Sequence, residues 1–316
     1  MPTSKASPAV QVLVTGADGF VGGRVVRRLA ADGHAVTAAI RRGTASQLGD
    51  VEPRPFDLRD DASVREAASG GFDAVIHLAA VASGADARRD PGAAWEINAA
   101  GTARLCEALA GAAPVPPLLL LVSTAEVYGA GSGPQARAES DPPAPCSSYA
   151  ASKLGAEVAA TEVGRRTGLR VVVVRPFPHT GAGQDTRFVI PAFARRIHEA
   201  QRAGRRDVPV GSLDPIRDFL HVDDVVDAYL ALIERGTPGA CYNVASGSGV
   251  SLREIFERLR ARLRADVRAT ADPGMMRPAD IAHLVGDATR LRTDTGWRPR
   301  RTLDDALDEV ARAQAH

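Results

Sequence analysis

The chain has 316 residues, 45% hydrophobic and 24% charged, with a formal net charge of +1. That composition is ordinary for a soluble globular protein of one large or two modest domains, and its near-neutral charge gives no reason to expect nucleic acid as a partner. The three cysteines are widely spaced and make neither a disulfide framework nor a zinc pattern, so no metal is expected, and no apolar run is long enough for a membrane span.

Taken in chain order, residues 1–8 carry one charge and no hydrophobic stretch. They are expected to form a disordered tail rather than a signal peptide, which places the protein in the cytoplasm by default. Residues 10–14 predict a strand, residues 20 to about 31 a helix, and residues 34–40 a second strand. A helix begins near Asp61, a third strand covers 74–78, and a long helix covers 93–109. Leu118–Val122 predicts a buried strand. Ser148 stands where a helix N-cap belongs, after the proline-rich stretch 142–145, and its helix runs to about residue 166. Val171, Val172, Val173 and Val174 are four β-branched residues in a row, suited to a central strand buried on both faces. This alternation predicts an α/β fold with a Rossmann-type, doubly wound parallel sheet.

Beyond Pro176 the pattern changes. Loops rich in Gly, Pro and Arg separate helices expected at 189–203, 222–233, 252–263 and 303–313, while residues 241–245 predict a late strand returning to the sheet. The expected division is a Rossmann domain over 9–177 plus about 214–247, and a smaller C-terminal α/β cap over 178–213 plus 248–316.

Val14-Thr15-Gly16-Ala17-Asp18-Gly19-Phe20-Val21-Gly22 follows the first strand and opens the first helix. Gly16 permits a tight turn, Gly19 lets backbone amides approach a pyrophosphate, and Gly22 lets the helix pack close to the sheet. Phosphates then sit at the positive end of a helix, and Gly16, Asp18, Gly19, Phe20, Val21 and Gly22 are expected cofactor contacts. After the second strand come Arg41 and Arg42, where dinucleotide folds often carry an acid that binds ribose hydroxyls. A guanidinium holds a 2′-phosphate that a carboxylate repels, so NADP(H) is favoured over NAD(H). The alternative for either arginine is stacking on adenine or facing water. Asp57 is expected at the adenine amine, with an ordinary loop aspartate as the alternative.

Tyr149 and Lys153 are four apart and share a helix face. Lys153 is one of two lysines among 39 basic residues, and it offers a compact ammonium whose pKa its surroundings can move, which arginine does not. That charge is expected to bring the tyrosine pKa down toward the working range and to reach a nicotinamide ribose. Thr124, just past Leu118–Val122, is expected at the carboxyl edge of the sheet, its hydroxyl on the oxygen undergoing chemistry.

Further motifs are His77-Leu78-Ala79-Ala80, Asn98 with Gly101-Thr102, Ser123-Thr124-Ala125-Glu126-Val127-Tyr128-Gly129, Tyr149-Ala150-Ala151-Ser152-Lys153, Arg175-Pro176-Phe177 and Arg217-Asp218-Phe219-Leu220. With these the chain resembles, from about residue 10 to 307, the extended short-chain dehydrogenase/reductases of the NAD-dependent epimerase/dehydratase family, in the branch that works on nucleotide sugars. Met276-Arg277-Pro278-Ala279-Asp280, Gly286-Asp287, Thr295-Gly296-Trp297-Arg298-Pro299 and His179-Thr180-Gly181 are similar to the GDP-mannose 4,6-dehydratases and GDP-4-keto-6-deoxymannose reductases.

The resemblance implies catalytic Thr124, Tyr149 and Lys153, with Glu126 as an accessory group. It adds cofactor contacts at Leu58, Leu78, Ala79, Ala80, Asn98 and Pro176, beside Tyr149 and Lys153. It implies substrate contacts at Ser83, Thr124, Tyr149, His179, Val189, Arg195, Arg217, Arg277 and Asp280, the arginines holding a diphosphate or ribose. The implied activity is NADPH-dependent reduction of a 4-keto-6-deoxy sugar on GDP. A nucleotide-sugar 4-epimerase is the alternative, and a 4,6-dehydratase or a non-catalytic dinucleotide sensor stands further behind. Related enzymes dimerise through helices matching 93–109 and 149–166, so a homodimer is expected; otherwise both helices simply cover the sheet. Three positions depart from the family pattern. Ala125 has no proton to give where dehydratases carry an acidic or hydroxyl residue, Pro178 replaces an asparagine, and Ala182 replaces a proline.

Overall fold

The computed structural model describes residues 9–41, 48, 51–130, 133–276 and 281–314. Its first half is β1 (Gln11–Thr15), α1 (Gly22–Ala31), β2 (Ala35–Ile40), β3 (Pro53–Pro55), α2 (Asp61–Ala68), β4 (Ala74–His77), α3 (Gly84–Arg89) and α4 (Pro91–Trp95). A π-helical turn, Glu96–Ala100, leads into α5 (Gly101–Ala112), β5 (Leu118–Val122), α6 (Ser148–Thr167) and β6 (Arg170–Pro176). Next come β7 (His179–Thr180), α7 (Val189–Arg202), β8 (Asp207–Val210), β9 (Ile216–Asp218), β10 (Leu220–His221), α8 (Val222–Arg235) and β11 (Cys241–Val244). The chain ends with β12 (Gly249–Ser251), α9 (Leu252–Arg262), β13 (Arg268–Ala271), β14 (His283–Leu284), α10 (Thr289–Thr295) and α11 (Leu303–Gln314).

Seven strands form one sheet in the order β11-β6-β5-β4-β1-β2-β3, every pairing parallel. Its central strands are covered on both faces, which is why they are continuous apolar runs. Side chains of β5 and β6 alternate between two cores. Leu118, Leu120, Val172 and Val174 join Val25, Leu29, Tyr229 and Leu232 of α1 and α8 on one face. Leu119, Leu121, Val171 and Val173 join Val64, Leu105, Leu109 and Ala160 of α2, α5 and α6 on the other. The chain turns back between β1 and β4, so a crevice opens beyond the carboxyl ends of those strands. A third core, with Ile190, Phe193, Val208, Ile255, Phe256 and Leu307, builds the smaller C-terminal α/β part, where Phe193 and Phe256 meet edge to face at 5.6 Å. Among the described residues no helix is long and apolar enough to cross a membrane.

Several expected boundaries move. The helix expected over 93–109 is two helices joined by the π turn, whose extra residue re-aims Asn98. α1 starts at Gly22 rather than 20, after the glycine loop has finished its turn. Ser147, not Ser148, caps α6, its Oγ accepting the Ala150 amide at 3.1 Å.

Candidate active site

The glycine loop is shut to side chains. Gly16 has a φ of +67°, and a Cβ there would meet the Ala79 amide nitrogen at 2.8 Å. A Cβ on Gly22 would fall 2.1 Å from the Gly16 carbonyl oxygen. The helix that follows has no side-chain cap and no acid in its first turn. Its positive end is thus left for an anion, and the loop fits a dinucleotide pyrophosphate. Asp18 and Gly19 are exposed at the mouth, with Phe20 and Val21 half-buried.

The segment facing this loop is fixed by a buried chain of hydrogen bonds. Thr102 Oγ1 donates to the Asn98 carbonyl at 2.6 Å and therefore accepts from His77 Nε2 at 3.1 Å. Thr15 Oγ1 accepts the Ala79 amide at 3.2 Å and donates to His77 Nδ1 at 2.7 Å. The imidazole is neutral, its pKa lowered by burial to about 3. Asn98 was expected at the cofactor, and the π turn commits its side chain to the protein. Its Oδ1 accepts the Val81 amide at 2.8 Å, while Nδ2 donates to the Val81 carbonyl at 3.1 Å and to Ser152 Oγ at 2.9 Å. Ser152 in turn donates to the Tyr149 carbonyl at 2.8 Å. Leu78, Ala79 and Ala80 are thereby held against the glycine loop and against the helix of Tyr149.

Thr124 and Tyr149 come together. Thr124 lies just past β5 and caps a short 3-10 turn, accepting the Glu126 amide at 3.2 Å. Its hydroxyl is close enough to the Tyr149 phenol to favour the ionised form. Burial, assisted by the Glu126 carboxylate, pushes the phenol above its ordinary pKa, against the pull of the Thr124 hydroxyl. This corrects the expectation of a phenol brought down by Lys153: in the protein alone the phenol stays protonated, because burial and the Glu126 carboxylate both disfavour the phenolate and only Thr124 opposes them.

Lys153, one helical turn on, is buried. Burial lowers its ammonium from 10.5 to about 8, with Glu157 raising it. A cation disfavoured in the fold weakens folding wherever the lysine is protonated in both states, below about pH 8, and the penalty vanishes as pH rises through the unfolded value of 10.5. Lys153→Met is therefore expected to exceed the parent protein in stability at pH 7 by on the order of 3 kcal/mol. The gap should close toward pH 10.5, the unfolded value. Equal urea midpoints at pH 7 would contradict this.

Below Lys153 lies a network that sequence reasoning missed. Arg175 grips Glu157 with two hydrogen bonds, Nε–Oε1 at 3.0 Å and Nη2–Oε2 at 2.7 Å, and Ser123 Oγ also donates to Glu157. The guanidinium lies 4.8 Å over the Tyr128 ring, whose hydroxyl donates to Asn243 Oδ1 at 2.7 Å. The available signal was spacing: Glu157 follows Lys153 by four residues, on the same face of α6.

A glycine turn, a carboxyl-edge threonine and a tyrosine–lysine helix occur here on one parallel sheet. The profile of the NAD dependent epimerase/dehydratase family matches residues 12–245. The chain belongs to that family. It is similar to the GDP-6-deoxy-D-mannose reductase of Pseudomonas aeruginosa, with 36% identity over 307 residues and 95% of each chain covered. A UDP-glucose 4-epimerase of Streptomyces lividans is 32% identical over 309 residues, covering 92% of this chain and 91% of the relative. The solved structure of RMD from Pseudomonas aeruginosa complexed with NADPH matches with a TM-score of 0.83 at 34% identity, covering 97% of this chain and 99% of that one.

Other positions expected of an epimerase/dehydratase family member divide into three groups. Some line the same edge. Arg41 is exposed, its charge felt by Asp57, whose carboxylate Arg59 holds at 3.1 Å. Leu58 is buried against Gly101, and Pro176 is buried in β6 beside Val244. His179 Nδ1 lies 3.0 Å from the Phe177 carbonyl, and its ring stacks on Phe20 with centroids 6.5 Å apart, so β7 touches the glycine loop. Val189 is half-buried at the start of α7.

Other side chains are already engaged. Ser83 caps α3, accepting the amides of Ala85 at 3.2 Å and Asp86 at 3.4 Å. Arg217 donates to the Ile216 carbonyl at 2.9 Å, while its neighbour Asp218 is buried and accepts the amides of Ser246 at 3.0 Å and Gly247 at 2.9 Å. Arg195 departs from expectation: it stands on the exposed face of α7 beside Glu199 at 3.7 Å, an exposed i,i+4 pair that contributes little. Arg42, Arg277 and Asp280 lie outside the described residues. One unforeseen contact joins the two halves, an ion pair of 2.6 Å between Asp86 on α3 and Arg187 ahead of α7.

Proposed function

We propose that the protein reduces a 4-keto-6-deoxy nucleotide sugar with NADPH, the leading substrate being one carried on GDP. The observation that carries this reading is a protonated phenol, Tyr149, beside Thr124 and one helical turn from buried Lys153. NADPH, when bound, supplies the hydride. Tyr149 gives its proton to the substrate oxygen as negative charge develops there, and Thr124 shares a hydrogen bond with that oxygen. Lys153 holds the nicotinamide ribose and stabilises the phenolate that remains. The glycine loop seats the pyrophosphate, with Leu58, Leu78, Ala79, Ala80, Asn98 and Pro176 shaping the cofactor edge. Ser83, His179, Val189, Arg217, Arg277 and Asp280 are the proposed substrate contacts, and Glu126 is accessory. Ala125, with no proton to donate, argues against elimination of water.

Arg41 and the NADPH bound to the similar RMD structure support NADP(H). Arg41→Ala is expected to raise the KM for NADPH roughly tenfold and to leave the KM for NADH unchanged, since only the phosphorylated ribose presents a 2′ anion. Equal losses with both cofactors would remove this assignment. A homodimer through α4, α5 and α6 is supported by Trp95 and Val158, large apolar side chains 46% and 64% exposed on that face.

The test is incubation with NADPH and 4-keto-6-deoxy sugars on GDP, dTDP, UDP and CDP, following nicotinamide absorbance. Oxidation with one of them identifies the substrate. Similarity to 4-epimerases favours a second reading, in which the same residues oxidise C4 and reduce it from the other sugar face. Sugar interconversion without net cofactor turnover, and no oxidation across the panel, would replace the first reading by the second.

A further inference from the structure

One residue outside the Thr124–Tyr149–Lys153 group is held from both ends of the chain. Ala182 lies in the loop between β7 and α7. Its carbonyl accepts from Arg24 Nη2 on α1 at 2.6 Å, and its amide donates to Glu309 Oε2 on α11 at 3.2 Å. The helix that follows the glycine loop and the last helix of the fold therefore grip the same residue.

Each gripping side chain is itself aimed. The Arg24 guanidinium lies 4.5 Å over the Phe20 ring, donates to the Phe20 carbonyl at 3.2 Å, and pairs with Asp223 at 3.3 Å. His221 Nδ1 accepts the Asp223 amide at 3.1 Å, which leaves its proton on Nε2. That nitrogen lies 3.2 Å from Glu309 Oε1, close but poorly angled for a full hydrogen bond. The second oxygen of Glu309 is thereby turned to Ala182. A Cβ on Gly181 would come within 2.8 Å of Val222 and 3.4 Å of Glu309 Oε2, so the loop is pressed onto the start of α8. β7, which leads into this loop, presents His179 to Phe20.

Resting on the reading given under Proposed function, we propose that Arg24 and Glu309 are positioning residues for the nucleotide sugar. By clamping the two peptides that flank Ala182 they fix β7 and the loop after it, residues 179–184, beside the glycine loop before substrate arrives. A free loop must be ordered during binding, and that cost falls on affinity for the sugar rather than on the chemical step. Neither residue touches the reacting atoms.

Three single variants of the full chain and one double variant test this. Glu309→Ala removes the acceptor, Glu309→Gln keeps one, and Ala182→Pro removes the amide donor. Amide hydrogen exchange of the 178–187 segment is measured for the parent and Glu309→Ala. KM, kcat and NADPH affinity are measured for every variant. Exchange in the loop should rise at least about tenfold in Glu309→Ala. Glu309→Ala and Ala182→Pro should each raise the sugar KM roughly tenfold while kcat and NADPH affinity stay within about twofold. Glu309→Gln should recover at least half of that loss on a logarithmic scale, and Ala182→Pro combined with Glu309→Ala should be no worse than Glu309→Ala alone. Unchanged exchange, additive losses, or kcat and NADPH affinity falling as KM rises would each overturn the clamp. A parent protein that turns over no keto sugar defeats the proposed function instead, and the exchange result then decides the clamp alone.

Discussion

Tyr149→Phe is expected to keep NADPH bound with undiminished affinity while turnover falls by about a thousandfold. The change deletes one oxygen and nothing that holds the site together. α6 is capped by Ser147 and tied to the Val81 segment through Ser152 and Asn98, and none of these bonds passes through the phenol. Thr124 keeps the Glu126 amide as a partner. What disappears is a proton, held firmly because burial disfavours the phenolate. A developing alkoxide then finds Thr124 as a hydrogen-bond donor but no acid to complete the transfer. Binding is read from nicotinamide fluorescence and turnover from absorbance at saturating sugar. Turnover within tenfold of the parent protein would move the proton donor elsewhere; NADPH affinity lost along with turnover would give the phenol a structural part.

Glu157→Ala should cost about 3–5 kcal/mol of folding stability, more than any other single truncation considered for this chain. Both side chains of the Glu157–Arg175 pair are 8% exposed. Removing the carboxylate leaves a guanidinium charge in a dry setting and takes the acceptor away from Ser123. Glu157→Gln, which retains one acceptor oxygen, should lose less. Replacing both partners by apolar residues, Glu157→Leu with Arg175→Met, should recover much of the deficit, since the cost lies in the unpaired charge rather than in the absence of the pair. Urea denaturation of the three variants decides it, and a loss below about 1 kcal/mol in Glu157→Ala would mean that water reaches Arg175. The lysine one turn away should respond too, because Glu157 is what raises its pKa against burial.

The sheet was legible because its central strands leave little choice. Leu118–Val122 has no polar residue and is flanked by proline on one side and serine on the other, and it forms a strand over those same residues. The glycine loop was equally open to reading, since a backbone that approaches its neighbours within a Cβ radius permits only glycine. β3 is harder to read: Pro-Arg-Pro has the residues of a loop, and it pairs only as the sheet's outermost strand, where a missing N–H is tolerated. Ser147 and Ser148 are chemically alike, so only backbone direction picks the cap. The π turn depends on Asn98 finding Val81 and Ser152, partners far apart in sequence. Both pKa directions at the candidate site follow from depth of burial, which spacing alone does not carry. The sequence places Tyr149 near Lys153; desolvation determines which of them holds its proton the more firmly.

The near-absence of lysine has a practical consequence. Acylating reagents attack uncharged amines and ignore guanidinium groups, so a surface built on arginine is silent toward them. Lys153, at about 8, is chemically primed for such attack near neutral pH, yet it is only 4% exposed. An adduct at that position therefore records a moment when the interior was breached, and mass spectrometry of the native protein can time those breaches without any engineered label.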